Sequence, residues 1–174
     1  MKAVKSIVVA ALLGAVLFIC QVALSFLPNI ELVSVLVIFY TLAFPFKTVI
    51  LGIYAFVFAE GLLYGFGLWW INYLYVWCIL ALITLLLKNC RSYFVYAAVN
   101  AGFGLCFGAL CAIPTIFLSG LKAGVAYWIS GIPFDILHGA GNFITALLLL
   151  KPLMTIAPRL INSESLKNSR DINL

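Results

Sequence analysis

The chain has 174 residues, 66% of them hydrophobic and 9% charged, with a net charge of +5 and a mean hydropathy of +1.23. No soluble domain of this size hides that much apolar surface. The basic residues cluster on no polar domain, which argues against nucleic acid as a partner, and the composition is that of an integral membrane protein.

A membrane span needs about 20 apolar residues, and six candidates follow in order. The first covers residues 5–27, behind Lys2 and Lys5. It is span-length and ends in no small-residue cleavage site, so it reads as a retained helix and not a leader. Ala11, Gly14 and Ala15 lie on it. Small residues at such spacing let another helix approach closely, either within the monomer or from a partner subunit. The second candidate, residues 31–44, is short and ends at Pro45; the preceding loop and its first turn carry Asn29, Glu31 and Ser34. The third covers residues 48–64 and brings Glu60 and Tyr64 to its end. The fourth, residues 69–87, opens with the aromatic residues Trp69, Trp70, Tyr73, Tyr75 and Trp77, with Asn72 among them. The fifth runs from 93 to about 113, where Pro114 interrupts. Residues 114–132 then read as a long outer loop, forming a short surface helix or a lid, with Tyr127 and Trp128 suited to the membrane interface. The sixth covers residues 133–150, with Pro133 in its first turn, where a missing N–H is harmless. Residues 1–160 thus form one membrane domain, and residues 161–174 a polar, frayed tail. Uninterrupted apolar runs indicate helices, since a membrane barrel uses alternating segments of about 10 residues.

Lys and Arg set the orientation. With both termini in the cytoplasm, nine of the ten positive residues lie inside, and Lys122 alone lies outside. The expected fold is therefore all-α, with six transmembrane helices and both termini cytoplasmic.

Three polar spots map to the outer side. Asp135, His138 and Asn142, spaced i, i+3, i+7, stack on one face of the sixth span, with Gly139 and Gly141 leaving room beside them. Near the start of that span Asp135 meets the positive end of the helix dipole. A purely structural reading is open: Asp135 complements the dipole and bonds His138, while Asn142 joins two helices. The functional reading starts from cost, because an Asp at mid-bilayer costs about 2.5–3.5 kcal/mol on insertion scales. The second spot is Glu60, Tyr64, Trp69, Asn72 and Tyr73; aromatic walls with a few polar groups suit a pocket for a bulky organic ligand. The third is Asn29, Glu31 and Ser34. Their convergence argues for a binding site on the extracytoplasmic side.

Familiar catalytic and nucleotide-binding patterns do not occur. The sequence holds no GxxxxGK[ST], so the chain is not expected to hydrolyse ATP itself, and no HExxH or GxSxG. One His makes no familiar zinc site. The five cysteines form no CxxC pair and read as small hydrophobes. No catalytic residue and no metal ligand is assigned.

Six helices in a small chain, a small-residue first helix and an outer polar pocket resemble the substrate-binding S component of energy-coupling factor transporters. The stretches "PNIELVSVLVIFYTLAF", "EGLLYGFGLWWINYLYVW" and "GIPFDILHGAGNFITALLLLKPL" look like bacterial S components of the vitamin class, covering residues 5–160. The resemblance implies capture of a vitamin at the outer face and docking, through Ala11 and Ala15 beside Gly14, onto a membrane coupling subunit. Two cytoplasmic ATPase subunits would then drive toppling and release, with the first, third and fifth loops gating the pocket. ATP belongs to those partners; the vitamin is cargo, and no cofactor is held permanently. "PNIELVSVLVIF" and "PFDILH" are most similar to cobalamin-type S components, which implies cobalamin or a corrinoid precursor, with Asn29, Asn72 and Asn142 meeting its side amides; another vitamin, such as pantothenate or folate, is the alternative. Two further classes stand beside the transporter: a membrane scaffold, and a small membrane enzyme using Asp135 and His138 as an acid–base pair.

Overall fold

The computed structural model describes residues 2–160; the expected polar tail lies outside the described residues. Those residues form six α-helices and no strand: α1 (Lys2–Ala23), α2 (Val33–Ala43), α3 (Phe46–Tyr64), α4 (Leu68–Leu86), α5 (Tyr93–Ser119) and α6 (Leu121–Leu160). Five of them, all but α2, are long and apolar enough to cross a membrane. The chain is a multi-pass membrane protein.

α2 is the centre of the bundle. Ten of its 11 residues are buried, as expected of a helix that is apolar all round. It is also too short to cross alone: 11 residues rise about 16 Å, against a hydrocarbon core of about 30 Å. An irregular segment, residues 24–32, makes up the difference at its N-terminal end, with Asn29 in the left-handed region (φ 58°), a conformation that Asn tolerates better than most residues.

Close backbone approaches hold the outer helices. α1 runs parallel to α3, with Ser6 Oγ 2.8 Å from Thr48 Oγ1 and Gly14 against Gly52. A Cβ on Gly14 would lie 2.7 Å from the Gly52 carbonyl oxygen. α5 and α6 form an antiparallel hairpin. Asn100 Nδ2 donates to the Asn142 carbonyl at 2.9 Å, and Asn142 Nδ2 returns a longer bond to the Asn100 carbonyl at 3.4 Å. One turn on, a Cβ on Gly104 would lie 2.7 Å from the Gly139 nitrogen. Another turn on, Gly108 N–H donates to Asp135 Oδ1 at 2.9 Å.

The structure corrects the expected course of residues 114–132. They are not a loop. α5 continues through Pro114 to Ser119, the chain turns at Gly120 (φ 86°), and α6 starts at Leu121. A proline inside a helix frees the carbonyl four residues earlier, here that of Leu110. Tyr75 of α4 donates its hydroxyl to that carbonyl at 2.7 Å, so a neighbouring helix supplies the lost bond, as membrane bundles permit. Pro133 likewise lies inside α6 and not in its first turn. Asp135 is therefore far from the helix start, and its carboxylate is met by Gly108 instead of a helix dipole.

Candidate functional site: a cavity over the short central helix

The site is built where α2 begins. Its first N–H groups have no partner within the helix, and they point into residues 24–32. Glu31 turns back onto them: Oε2 accepts the Ser34 N–H at 2.8 Å. A carboxylate at a helix N-terminus is favoured by the dipole as well as by the bond. Glu31 Oε1 lies 3.3 Å from His138 Nε2 of α6. Both residues are buried, at 8% and 4% exposure, so this pair ties the irregular segment to α6. Gly141, one turn further along α6, lets that segment lie close: a Cβ there would sit 2.9 Å from Ile30 Cδ1.

A run of rings carries on from the pair. Phe107 of α5 stands edge-on to His138, with centroids 4.9 Å apart and planes at 69°. Trp77 lies 5.7 Å from Phe107 and Tyr73 5.4 Å from Trp77 at 80°. Between these rings and residues 24–31 lies a cavity of about 220 Å³, which Gln21 of α1 also lines. Two of its wall residues carry buried polar atoms without a partner, Gln21 Oε1 and Trp77 Nε1. Such atoms are uncommon, and each calls for an explanation such as a water or a ligand.

Of the residues singled out from the sequence, Asn29, Glu31, Tyr73 and His138 come together in this wall. Ser34 sits just beneath, its N–H spent on Glu31 and its Oγ without a partner. The others lie elsewhere. Asp135 and Asn142 are buried between α5 and α6, each with one oxygen unpartnered. Asn72 Oδ1 lies 3.1 Å from the Tyr75 hydroxyl oxygen, whose one proton goes to the Leu110 carbonyl. Glu60 is buried in α3 with Oε1 unpartnered. Trp69 is half-buried, edge-on to Tyr73 at 5.3 Å, and Tyr64 is exposed. The expected convergence of Asp135, Asn142, Asn72 and Glu60 on one hollow is not what the structure has. The polar floor is Glu31 with His138.

Sequence reasoning did not single out Gln21, Phe107 or the residues 24–28, and it took Trp77 only as part of an aromatic run. Gln21 carried a signal, being the one polar side chain of α1 beyond Lys2, Lys5 and Ser6 at its start. The small residues of α1 divide between two faces. Gly14 is buried against α3, whereas Ala11 and Ala15 are exposed.

Among the described residues no group of three or more His, Cys, Asp or Glu could hold a metal ion. The wall, with its rings, amides and one carboxylate–imidazole pair, is suited to an organic molecule. Comparison with known protein families, with characterised proteins and with solved structures finds no match for this chain.

Proposed function

We propose that this chain is the substrate-capturing membrane subunit of an ATP-driven vitamin uptake transporter, of the S component type, in the plasma membrane of a bacterium. The observation that carries the reading is the cavity of about 220 Å³ above α2. It lies at the end of the bundle opposite Lys5, Lys47, Lys88, Arg91 and Lys151. By the bias of positive residues toward the cytoplasm, that end faces outward, with α2 and the segment before it together making the sixth crossing. Residues 24–31 roof the cavity and, as the first outer loop, serve as its gate. Ala11 and Ala15, exposed on α1, are the docking face for a coupling subunit; Gly14 serves the monomer. Two cytoplasmic ATPase subunits hydrolyse ATP, and this chain performs no chemistry of its own.

The sequence resemblance favours cobalamin or a corrinoid precursor as cargo. Pockets for drug-sized ligands run to about 300–1,000 Å³, so a corrinoid enters only if residues 24–31 swing away from His138. A compact vitamin asks for less movement of the same segment. The scaffold reading draws on Asp135 and Asn142, which do hold α5 to α6, but it gives no reason for a carboxylate, an imidazole and an orphaned amide around a hollow.

Mass spectrometry of small molecules extracted from the purified protein tests the proposal, with uptake measured in a host lacking the corresponding transporter. A vitamin-class molecule and co-purifying ATPases are expected. A preparation that carries neither, and supports no uptake of cobalamin or any other vitamin, refutes it.

A further inference from the structure

The walls of the cavity define what chemistry its occupant presents. This step rests on the capture reading above. Among the described residues that line the hollow there is no Lys and no Arg. The one formal anion, Glu31, already has two partners nearby: the N-terminus of α2 through Ser34 N–H and the His138 ring. An anionic ligand therefore finds no cation left to meet it and a carboxylate on the floor to repel it. A carboxylate offers about four acceptor positions, and Glu31 uses two of them, toward Ser34 N–H and His138, so it can still accept from a donor. Gln21 Oε1 is a second acceptor, and it has no partner in the protein. Trp77 Nε1 is a donor, equally without a partner. The rings of Tyr73, Trp77 and Phe107 stand edge-on or tilted to one another. Together they make an aromatic wall on one side of the hollow, which suits a flat organic group.

We infer that the site selects a flat nitrogen heterocycle or amide, neutral or cationic, which gives N–H donors to Gln21 and Glu31 and an acceptor to the Trp77 indole. A carboxylate or phosphate on the inserted end is rejected. For a large cargo this specifies the group that enters first; for a compact one it specifies the whole molecule.

Three probes of one shape separate the possibilities: benzamidine as a cation, benzamide as a neutral donor–acceptor, and benzoate as an anion. Each is titrated calorimetrically into the full chain in detergent. Benzamidine and benzamide are expected to bind at least about tenfold more tightly than benzoate, since a like charge across a desolvated contact strongly disfavours the wrong partner. Glu31→Gln is expected to weaken benzamidine more than benzamide. Because Glu31 also caps α2, that variant is paired with Gln21→Leu, which leaves the cap alone and is expected to weaken benzamide about tenfold by removing its acceptor. Benzoate binding as tightly as benzamide, or Gln21→Leu binding all three like the parent, overturns the assignment. If no probe binds while a vitamin still co-purifies, the assigned chemistry is wrong and capture stands. If no probe binds and no vitamin co-purifies, both readings fall.

Discussion

Gly14 and Ala15 are adjacent on α1, about 100° apart around its axis, one buried and the other exposed, so the two give the sharpest test of how that helix is used. Gly14→Ala adds one carbon. That carbon would lie 2.7 Å from the Gly52 carbonyl oxygen, 2.9 Å from Ala55 Cβ and 3.1 Å from the Phe56 nitrogen. Two of the three are backbone atoms of α3, which cannot turn aside as a side-chain tip can, so α1 and α3 must separate. Overpacking of this kind costs about 1–3 kcal/mol. At about 2–4 °C per kcal/mol for a chain of this length, the unfolding midpoint falls by about 2–12 °C. Ala15→Leu adds more atoms but on an exposed face, where a substitution changes stability by no more than about 0.5 kcal/mol. Thermal unfolding in detergent, followed by tryptophan fluorescence, measures both. Under the proposed function, Ala15→Leu also keeps ligand binding while losing co-purification of the coupling subunit. If Gly14→Ala melts with the parent, or if Ala15→Leu destabilises as much, the division of α1 into an internal and an external face is wrong.

Tyr75→Phe leaves the Leu110 carbonyl without a donor, at an expected cost of about 1–3 kcal/mol; adding Pro114→Ala returns an N–H to that carbonyl, so the double variant should recover part of the loss in a thermal double-mutant cycle. Replacing His138 by Gln or Glu31 by Ala breaks a buried pair, with an expected cost of about 3–5 kcal/mol and loss of ligand binding by calorimetry. Asp135→Asn, which lies off the cavity and between α5 and α6, should lower the unfolding midpoint and leave the affinity of any co-purified ligand unchanged; a changed affinity with unchanged stability contradicts its placement. Asn100→Ala should cost no more than about 1–2 kcal/mol, the scale of interhelical polar contacts in membrane proteins, and its effect should not add to that of Asn142→Ala.

Much of the fold was legible because lipid simplifies it. Runs such as residues 5–27 and 48–64 have no stable state in a bilayer other than a helix, and α1, α3 and α4 lie within a few residues of where the apolar runs place them. Proline misled. In water Pro114 and Pro133 are sound helix-end signals. Here Tyr75 rescues the carbonyl that Pro114 frees, and the hairpin contacts at Gly104, Gly108 and Gly139 reward an unbroken helix on both sides. Neither effect can be read from a single segment, since each depends on a partner helix. The same applies to the polar residues. The i, i+3, i+7 spacing correctly places Asp135, His138 and Asn142 on one side of α6, but that side meets different neighbours at different heights. Asp135 meets Gly108, Asn142 meets Asn100, and only His138 reaches the hollow.

The hollow itself follows from a length mismatch. α3 and α4 have 19 residues each and rise about 28 Å, whereas the 11 residues of α2 rise about 16 Å. The centre of the bundle is therefore short by about 12 Å of helix, on the side of residues 24–32. Irregular backbone at that depth is tolerated only where protein surrounds it or water reaches it. That opening is where Gln21, Asn29, Glu31 and His138 gather, whereas the rest of α2 is almost wholly apolar. Filling the gap with two more helical turns would satisfy the backbone and remove the cavity in one stroke. That the chain instead ends its central helix early, and caps it with a carboxylate held by an imidazole from α6, is the strongest sign that the space is kept for something else to occupy.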